Sequence, residues 1–215
     1  MTSFDLSLYL VTDRELSKGR SLSYIVEEAV KGGVTMVQLR EKDCTTREFY
    51  ELGMRMKALL SPLSIPLIIN DRLDIALAVD ADGLHIGQSD MPWQVARRIL
   101  GKDKILGLSV ETMQQAEEAN RMDVDYIGIS PVFATLTKTD TLQLFGLNGL
   151  KEATSLSRHP AVAIGGINLQ NAAQVVNSGA DGIAVVSAIA SVDNPRQAAR
   201  ELKLTIKKEV PNEME

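Results

Sequence analysis

Three short polar clusters carry the side chains best suited to chemistry: Gln38-Leu39-Arg40-Glu41-Lys42, Asn70-Asp71-Arg72 and Gly87-Gln88-Ser89-Asp90. Each follows a short apolar run, so each is presented at the end of a predicted β-strand. Asp71 and Asp90 supply the oxygens that Mg2+ takes, one or two carboxylates completed by water and substrate phosphate. Arg40 and Lys42 supply cations that grip phosphate, Arg through a planar fork and Lys as a point charge. Amide, cation and carboxylate groups on neighbouring loops point to a phosphorylated ligand held together with a divalent metal. Each group also has a plain structural alternative. Asp71 is placed to cap a helix beginning near Arg72, and Arg40 and Lys42 can pair with Glu41 and Asp43 on a solvated surface.

The remaining candidates are neutral or solitary. Gly165-Gly166 and Val186-Ser187 follow two later apolar runs, where backbone N–H groups can bind a second phosphate. The alternative is a tight turn at Gly165-Gly166 and a cap by Ser187 on a short helix over 188–190. The segment from Pro131 to Gly146 is the longest without a helical pattern, and Thr135, Thr137 and Lys138 put two hydroxyls and a cation on it. It reads either as a lid over substrate or as a mobile spacer. Ser109 ends a fifth apolar run. His85 either reaches a phosphate or ring or is a hydrogen-bonded core histidine, while His159, ahead of Pro160, is expected at the surface. Cys44 lies among Glu41, Asp43 and Glu48, a setting that raises a thiol pKa and argues against a nucleophile. Trp93 is expected to begin a helix and to pack.

The elements that must position these groups form eight repeated units. Strands are predicted at Leu8–Val11, Met36–Leu39, Pro66–Ile69, Gly83–Ile86, Ile105–Leu108, Tyr126–Ile129, Ala161–Ile164 and Ile183–Val186, with helices between them. The first helical stretch, Ser21 to Gly32, places Leu22, Ile25, Val26, Ala29 and Val30 on one face. The strands are near-continuous apolar runs, as expected when both faces of a parallel sheet are covered. Eight βα units predict one domain over residues 1–215, a single (β/α)8 TIM barrel. Its first turn, Thr12-Asp13-Arg14-Glu15, lacks a glycine-rich fingerprint, and no GxGxxG, Walker A or HExxH pattern occurs. Similar turns precede four strands: Gly32-Gly33-Val34, Ala81-Asp82-Gly83, Met122 to Asp125 and Gly179 to Gly182. The acidic tail from Glu209 to Glu215, broken by Pro211, is expected to fray.

Composition bounds the partners. The 215 residues carry a formal net charge of −5, which argues against a nucleic-acid surface. The single Cys44 forbids an internal disulfide, and the N-terminus lacks the pattern of a secretory signal. No apolar run approaches the roughly 20 residues that cross a bilayer. A soluble, cytoplasmic protein with no membrane partner is expected, and a homo-oligomer is left open.

Taken in order, Tyr9-Leu10-Val11-Thr12-Asp13, Val37 to Lys42, Ile69 to Arg72, Gly83 to Gln88 with Asp90, Pro131-Val132-Phe133, Thr137-Lys138, Ala163 to Ile167 and Gly182 to Ser187 resemble the thiamine phosphate synthase family. The resemblance runs from Leu8 to Ile189. It implies a (β/α)8 transferase that joins 4-amino-2-methyl-5-hydroxymethylpyrimidine pyrophosphate to 4-methyl-5-hydroxyethylthiazole phosphate and releases pyrophosphate. It further implies that Gln38, Arg40, Lys42, Asn70, Ser109 and Lys138 hold the pyrimidine pyrophosphate and that Asp71 and Asp90 ligate Mg2+. Thr135, Thr137, Gly166, Val186 and Ser187 would bind the thiazole phosphate. Leu39, Glu41, His85 and Leu136 fall within the same substrate-binding stretches, and Arg40, Lys42, Ser109 and Lys138 are the expected catalytic groups.

Such a reaction is dissociative in character, because cations stabilise the departing pyrophosphate while the aminopyrimidine ring delocalises the positive charge left behind. It needs no protein nucleophile. Two alternatives share the fold: a thiazole tautomerase that keeps only the thiazole phosphate site, and a non-catalytic regulatory paralogue. The intact Arg40, Lys42, Asp71, Asp90 and Lys138 set argues against the first. Leu136 and the apolar stretch Thr139 to Phe145 depart from the small, proline-containing loop the family pattern leads one to expect.

Overall fold

The computed structural model describes residues 4–134 and 144–207. Its strands close into a parallel barrel in chain order: β1 (Leu8–Val11), β2 (Met36–Leu39), β3 (Leu67–Asn70), β4 (Gly83–Ile86), β5 (Ile105–Val110), β6 (Tyr126–Ile129), β7 (Ala161–Ile164) and β8 (Gly182–Val185). Tyr9 of β1 stands opposite Met36 of β2 and Ala184 of β8, so the sheet has no open edge. The helices between them are α1 (Leu22–Lys31), α2 (Thr46–Leu60), α3 (Leu73–Ala78), α4 (Trp93–Leu100), α5 (Met113–Ala119), α6 (Gly146–Leu156), α7 (Ala172–Asn177) and, after β8, α8 (Ser187–Ala190) and α9 (Pro195–Thr205). This is the single (β/α)8 barrel that the periodicity predicts. No helix among the described residues is long and apolar enough to cross a membrane.

Three strands differ from expectation at their ends. Pro66 has no N–H to give, so β3 begins at Leu67 and runs on to Asn70. β5 continues through Ser109 to Val110. β8 stops at Val185 because Val186, at φ −114° and ψ −81°, has already turned toward α8.

Successive strand residues face opposite ways. One set, including Leu8, Leu10, Val37, Leu39, Ile69 and Leu84, packs outward against the helices. The other, including Tyr9, Met36, Ile68, Ile105, Tyr126 and Val162, fills the barrel. Both faces are apolar, which is why the runs show no alternation in the sequence. In α1 the buried stripe is Leu22, Ile25, Val26 and Ala29, with Val30 only partly covered at its edge.

The four repeated turns sit at the N-terminal rim, and the structure gives them a common task. Thr35 Oγ accepts the Leu8 N–H at 3.1 Å. Asp82 accepts the Leu67 N–H at 2.9 Å, Asp125 the Leu106 N–H at 2.7 Å, and Asp181 the Ala161 N–H at 2.8 Å. Each residue stands just ahead of an even-numbered strand and holds the start of the odd strand before it. The repeat therefore clamps β1 to β2, β3 to β4, β5 to β6 and β7 to β8. The Asp125 carboxylate also meets Arg97 at 2.6 Å, a residue only 7% exposed whose guanidinium donates further to the Asp123, Gly101 and Lys104 carbonyls.

Candidate active site

The opposite, C-terminal rim opens into a cavity of about 400 Å³. Strand parity decides which side chains reach it. Gln38, Asn70, His85 and Ser109 are inward residues near the ends of β2 to β5, and all four line the cavity. Arg40 and Lys42 follow on the loop after β2, Asp71 on the loop after β3, and Asp90 on the loop after β4.

Asp71 is the most constrained of these. Its φ of +59° is left-handed, an arrangement that a non-glycine residue adopts at a cost and that clusters at functional sites. Its N–H donates to the His85 carbonyl at 2.8 Å, and the Arg72 N–H closes back on the Asn70 carbonyl at 2.7 Å. The turn aims the carboxylate into the cavity. There Oδ2 accepts from Lys42 Nζ at 2.7 Å and Oδ1 from Asn70 Nδ2 at 2.6 Å. Asp90 is held from the other side, accepting the Gly87 N–H at 2.7 Å. Burial raises the pKa of the Asp71 carboxyl; the Lys42 ammonium opposes the rise, and the facing Asp90 carboxylate adds to it.

Two carboxylates are thus near enough to feel each other's proton. Among the described residues no group of three His, Cys, Asp or Glu side chains could hold a metal by itself. A pair suits an ion whose remaining positions are filled by water and phosphate oxygens. Asp71 is not the cap that the sequence also allows, since α3 begins at Leu73 with Arg72 before it and no side-chain cap. Nor do Arg40 and Lys42 pair with Glu41 and Asp43. Arg40 meets Asp13 at 3.3 Å, Lys42 meets Asp71, and Glu41 is taken by Arg14 at 2.7 Å.

Beneath this charged arc lies a hydrogen-bonded file of side chains. His85, 8% exposed, places Nδ1 2.9 Å from the Tyr126 hydroxyl and Nε2 2.8 Å from Ser109 Oγ. The Tyr126 hydroxyl is 2.9 Å from that of Tyr9, which accepts from Gln38 Nε2 at 2.8 Å. His85 is thus the hydrogen-bonded interior histidine of the two sequence alternatives, and it also lines the cavity. Burial raises the pKa of both tyrosines.

The rim over β7 and β8 is neutral. Gly165, Gly166, Val186 and Ser187 line it. Gly166 has φ +65°, and a Cβ there would lie 2.6 Å from the Ala134 carbonyl oxygen and 2.7 Å from Phe133 Cβ, so only glycine fits the crossing. Ser187 is the first residue of α8 and not its cap; Val186 precedes the helix without a side-chain cap.

Two expected residues do not reach the cavity. Leu39 is fully buried on the outward face, and the Glu41 side chain, 2% exposed, turns to Arg14. The alternation that brings Gln38 in sends Leu39 out. Thr135, Leu136, Thr137 and Lys138 lie outside the described residues, as does the acidic tail. Cys44 behaves as expected, with burial and the Glu41 charge raising its thiol pKa. Trp93 opens α4 and packs against the core. His159 is half-buried, not at the surface, with Nε2 2.9 Å from the Ala119 carbonyl. The cavity is also lined by Tyr9, Glu111 and Ser130, none of them in the polar clusters.

Comparison with known proteins agrees with this geometry. The family model described as thiamine monophosphate synthase matches residues 8–189. The thiamine-phosphate synthase of Syntrophomonas wolfei is 53% identical over 203 residues, 94% of this chain and 97% of that one. The enzyme of the same name from Leptospira biflexa is 52% identical, covering 91% and 95%. The solved thiamine phosphate pyrophosphorylase from Pyrococcus furiosus superposes with a TM-score of 0.87 at 40% identity, over 94% of this chain and 95% of that one. A barrel with a charged arc facing a neutral one, matched over more than nine-tenths of its length by these relatives, belongs to the thiamine monophosphate synthase family.

Proposed function

We propose that this barrel joins 4-amino-2-methyl-5-hydroxymethylpyrimidine pyrophosphate to 4-methyl-5-hydroxyethylthiazole phosphate, forming thiamine phosphate and releasing pyrophosphate. The observation that carries the residue roles is the division of one rim: Arg40, Lys42, Asp71 and Asp90 stand across a single cavity from Gly166, Val186 and Ser187. Two phosphorylated substrates need two anchors within reach of each other, and the anchors differ as the fates of the two phosphates differ.

The task of the charged arc is electrostatic. As the carbon–oxygen bond to pyrophosphate breaks, the electron pair and growing charge go to the leaving oxygens, and preorganised cations stabilise them. Arg40 and Lys42 grip those oxygens, with Asp13 and Asp71 holding the two cations in place beforehand. Asp71 and Asp90 would hold Mg2+; their mutual repulsion and short oxygen supply fit such an ion. When bound, the metal supplies positive charge and orientation to the phosphate oxygens. Lys138, outside the described residues, adds a further cation in the same reading.

Gln38, Asn70 and Ser109 hold the aminopyrimidine over the barrel mouth. The ring spreads the positive charge left on its methylene carbon, and the thiazole nitrogen then forms the new carbon–nitrogen bond. Gly166, Val186 and Ser187, with Thr135 and Thr137 from the adjoining segment, keep the thiazole phosphate beside it. Val162, Ala184 and the ring of Tyr9 make part of the cavity floor apolar and limit water near the cation, which hydrolysis would otherwise quench. No nucleophile is used, in keeping with the raised pKa of Cys44. The thiazole tautomerase alternative is not favoured, because it leaves the charged arc without a task.

Purified protein mixed with both precursors and Mg2+ is expected to release pyrophosphate and thiamine phosphate in equal amounts, and a chelator is expected to stop turnover. Binding of the thiazole phosphate without coupling would overturn this reading.

A further inference from the structure

Five polar side chains cross the barrel interior in single file, each from a different strand: Gln38, Tyr9, Tyr126, His85 and Ser109, linked at 2.8, 2.9, 2.9 and 2.8 Å. We propose that this file is a one-way hydrogen-bond relay in which Tyr9 and Tyr126 are positioning residues that hold His85 as its Nε2–H tautomer, so that the Ser109 hydroxyl donates to a ring nitrogen of the substrate. The proposal rests on the pyrimidine reading of the cavity given above.

The direction follows from counting protons. An amide nitrogen can only donate. With Gln38 Nε2 on the Tyr9 oxygen, the Tyr9 proton turns to Tyr126, and the Tyr126 proton turns to His85 Nδ1. That nitrogen must accept, so the ring proton sits on Nε2 and donates to Ser109 Oγ. The serine proton is then left to point into the cavity. A phenol oxygen has two lone pairs and can accept from both neighbours, but the buried O–H of Tyr9 or Tyr126 would then have no acceptor among the described residues, since each hydroxyl has only its two partners in the file. The other arrangement that satisfies every buried O–H inverts the whole file, with Gln38 Oε1 toward Tyr9, the proton on His85 Nδ1 and Ser109 donating inward.

As oriented, the relay gives the two cavity walls opposite polarity. Gln38 Oε1 can only accept, and Ser109 donates. An aminopyrimidine is the complement, carrying an exocyclic N–H and a ring nitrogen with a lone pair.

The surrounding packing is arranged to admit the file. A Cβ on Gly107 would collide with the Tyr126 ring and with the His85 ring, and one on Gly128 would lie 3.3 Å from His85 Cε1. Barrel interiors are normally filled with branched apolar residues, so two side chains given up beside four buried polar ones and a half-buried serine call for a reason beyond packing. Burial keeps both phenols in their neutral, proton-carrying form, which the relay requires.

The chain has only two histidines, His85 and His159, so nitrogen-15 spectra of the histidine-labelled, ligand-free protein separate them readily. The expected result is an Nε2–H tautomer for His85. In Tyr126→Phe the tautomers are expected to mix, and KM for the pyrimidine pyrophosphate to rise about tenfold, the equivalent of one hydrogen bond, with KM for the thiazole phosphate unchanged. Tyr9→Phe, one link farther away, is expected to do the same more weakly, and it serves as a second probe if Tyr126→Phe folds poorly. An Nδ1–H tautomer in the wild type overturns the proposal, as does an unaltered tautomer in a folded Tyr126→Phe or an equal rise in both KM values. The tautomer is read without substrate, so a protein with the expected spectrum that fails to couple the precursors would refute the pyrimidine reading and leave the relay standing.

Discussion

The aspartates of the two barrel rims share a residue type and a scaffold, yet their surroundings are opposite. At the N-terminal rim Asp82, Asp125 and Asp181 each accept a backbone N–H from the neighbouring strand, and two also meet a cation, Lys57 at 2.9 Å and Arg97 at 2.6 Å. At the C-terminal rim Asp71 and Asp90 face each other, with burial and like charge raising the Asp71 pKa against the pull of Lys42. The lower carboxylates are satisfied and hold strands in pairs. The upper ones retain a repulsion that a cation would relieve, which is how a binding site differs from a structural contact.

The largest effect expected from this contrast is on turnover. Asp71→Asn should lower kcat/KM by on the order of a thousandfold, since several kcal/mol of charge stabilisation would go with the metal. Its melting temperature without metal, read by circular dichroism, should not fall. A loss of stability like that of a lower-rim variant would break the comparison. Asp125→Ala should do the reverse. Removing the partner of the buried Arg97 should cost about 3 kcal/mol in urea unfolding, while kcat/KM per folded molecule stays near that of the wild type.

A smaller effect appears in pH dependence. Because the Asp71 pKa is raised, the folded protein keeps a proton that the unfolded chain loses as pH climbs from the ordinary value of 3.8 through the raised one. This group therefore weakens the metal-free fold across that window and continues to do so above it. Asp71→Asn should gain melting temperature relative to wild type as pH moves from acid to neutral. A difference that stays constant with pH would contradict the raised pKa.

Much of the rim was legible because charge stands out after an apolar run. Arg40, Lys42, Asn70, Asp71 and Asp90 are polar where a buried strand has just ended, and the fold leaves them nowhere but the cavity mouth. Parity was not legible. A strand apolar on both faces hides which residues point inward, so nothing in the runs sets Tyr9 and Tyr126 apart from their outward neighbours, and Leu39 falls in one stretch with Gln38 although it faces the helices. Glu41 was drawn away by Arg14, a partner distant in sequence. The left-handed turn that takes Asp71 out of the capping position is likewise a tertiary effect, fixed by the His85 carbonyl on the next strand. The four rim turns were visible as a repeat, but their pairing of odd with even strands appears only when the barrel closes.

The most direct test is a Mn2+ titration followed by electron paramagnetic resonance, with inorganic pyrophosphate present, on the wild type, Asp71→Asn and Asp90→Asn. Saturable binding at one site in the wild type, lost in both variants, is the predicted result. Binding of undiminished strength in either variant would contradict the claim that the two upper carboxylates hold a divalent ion between them.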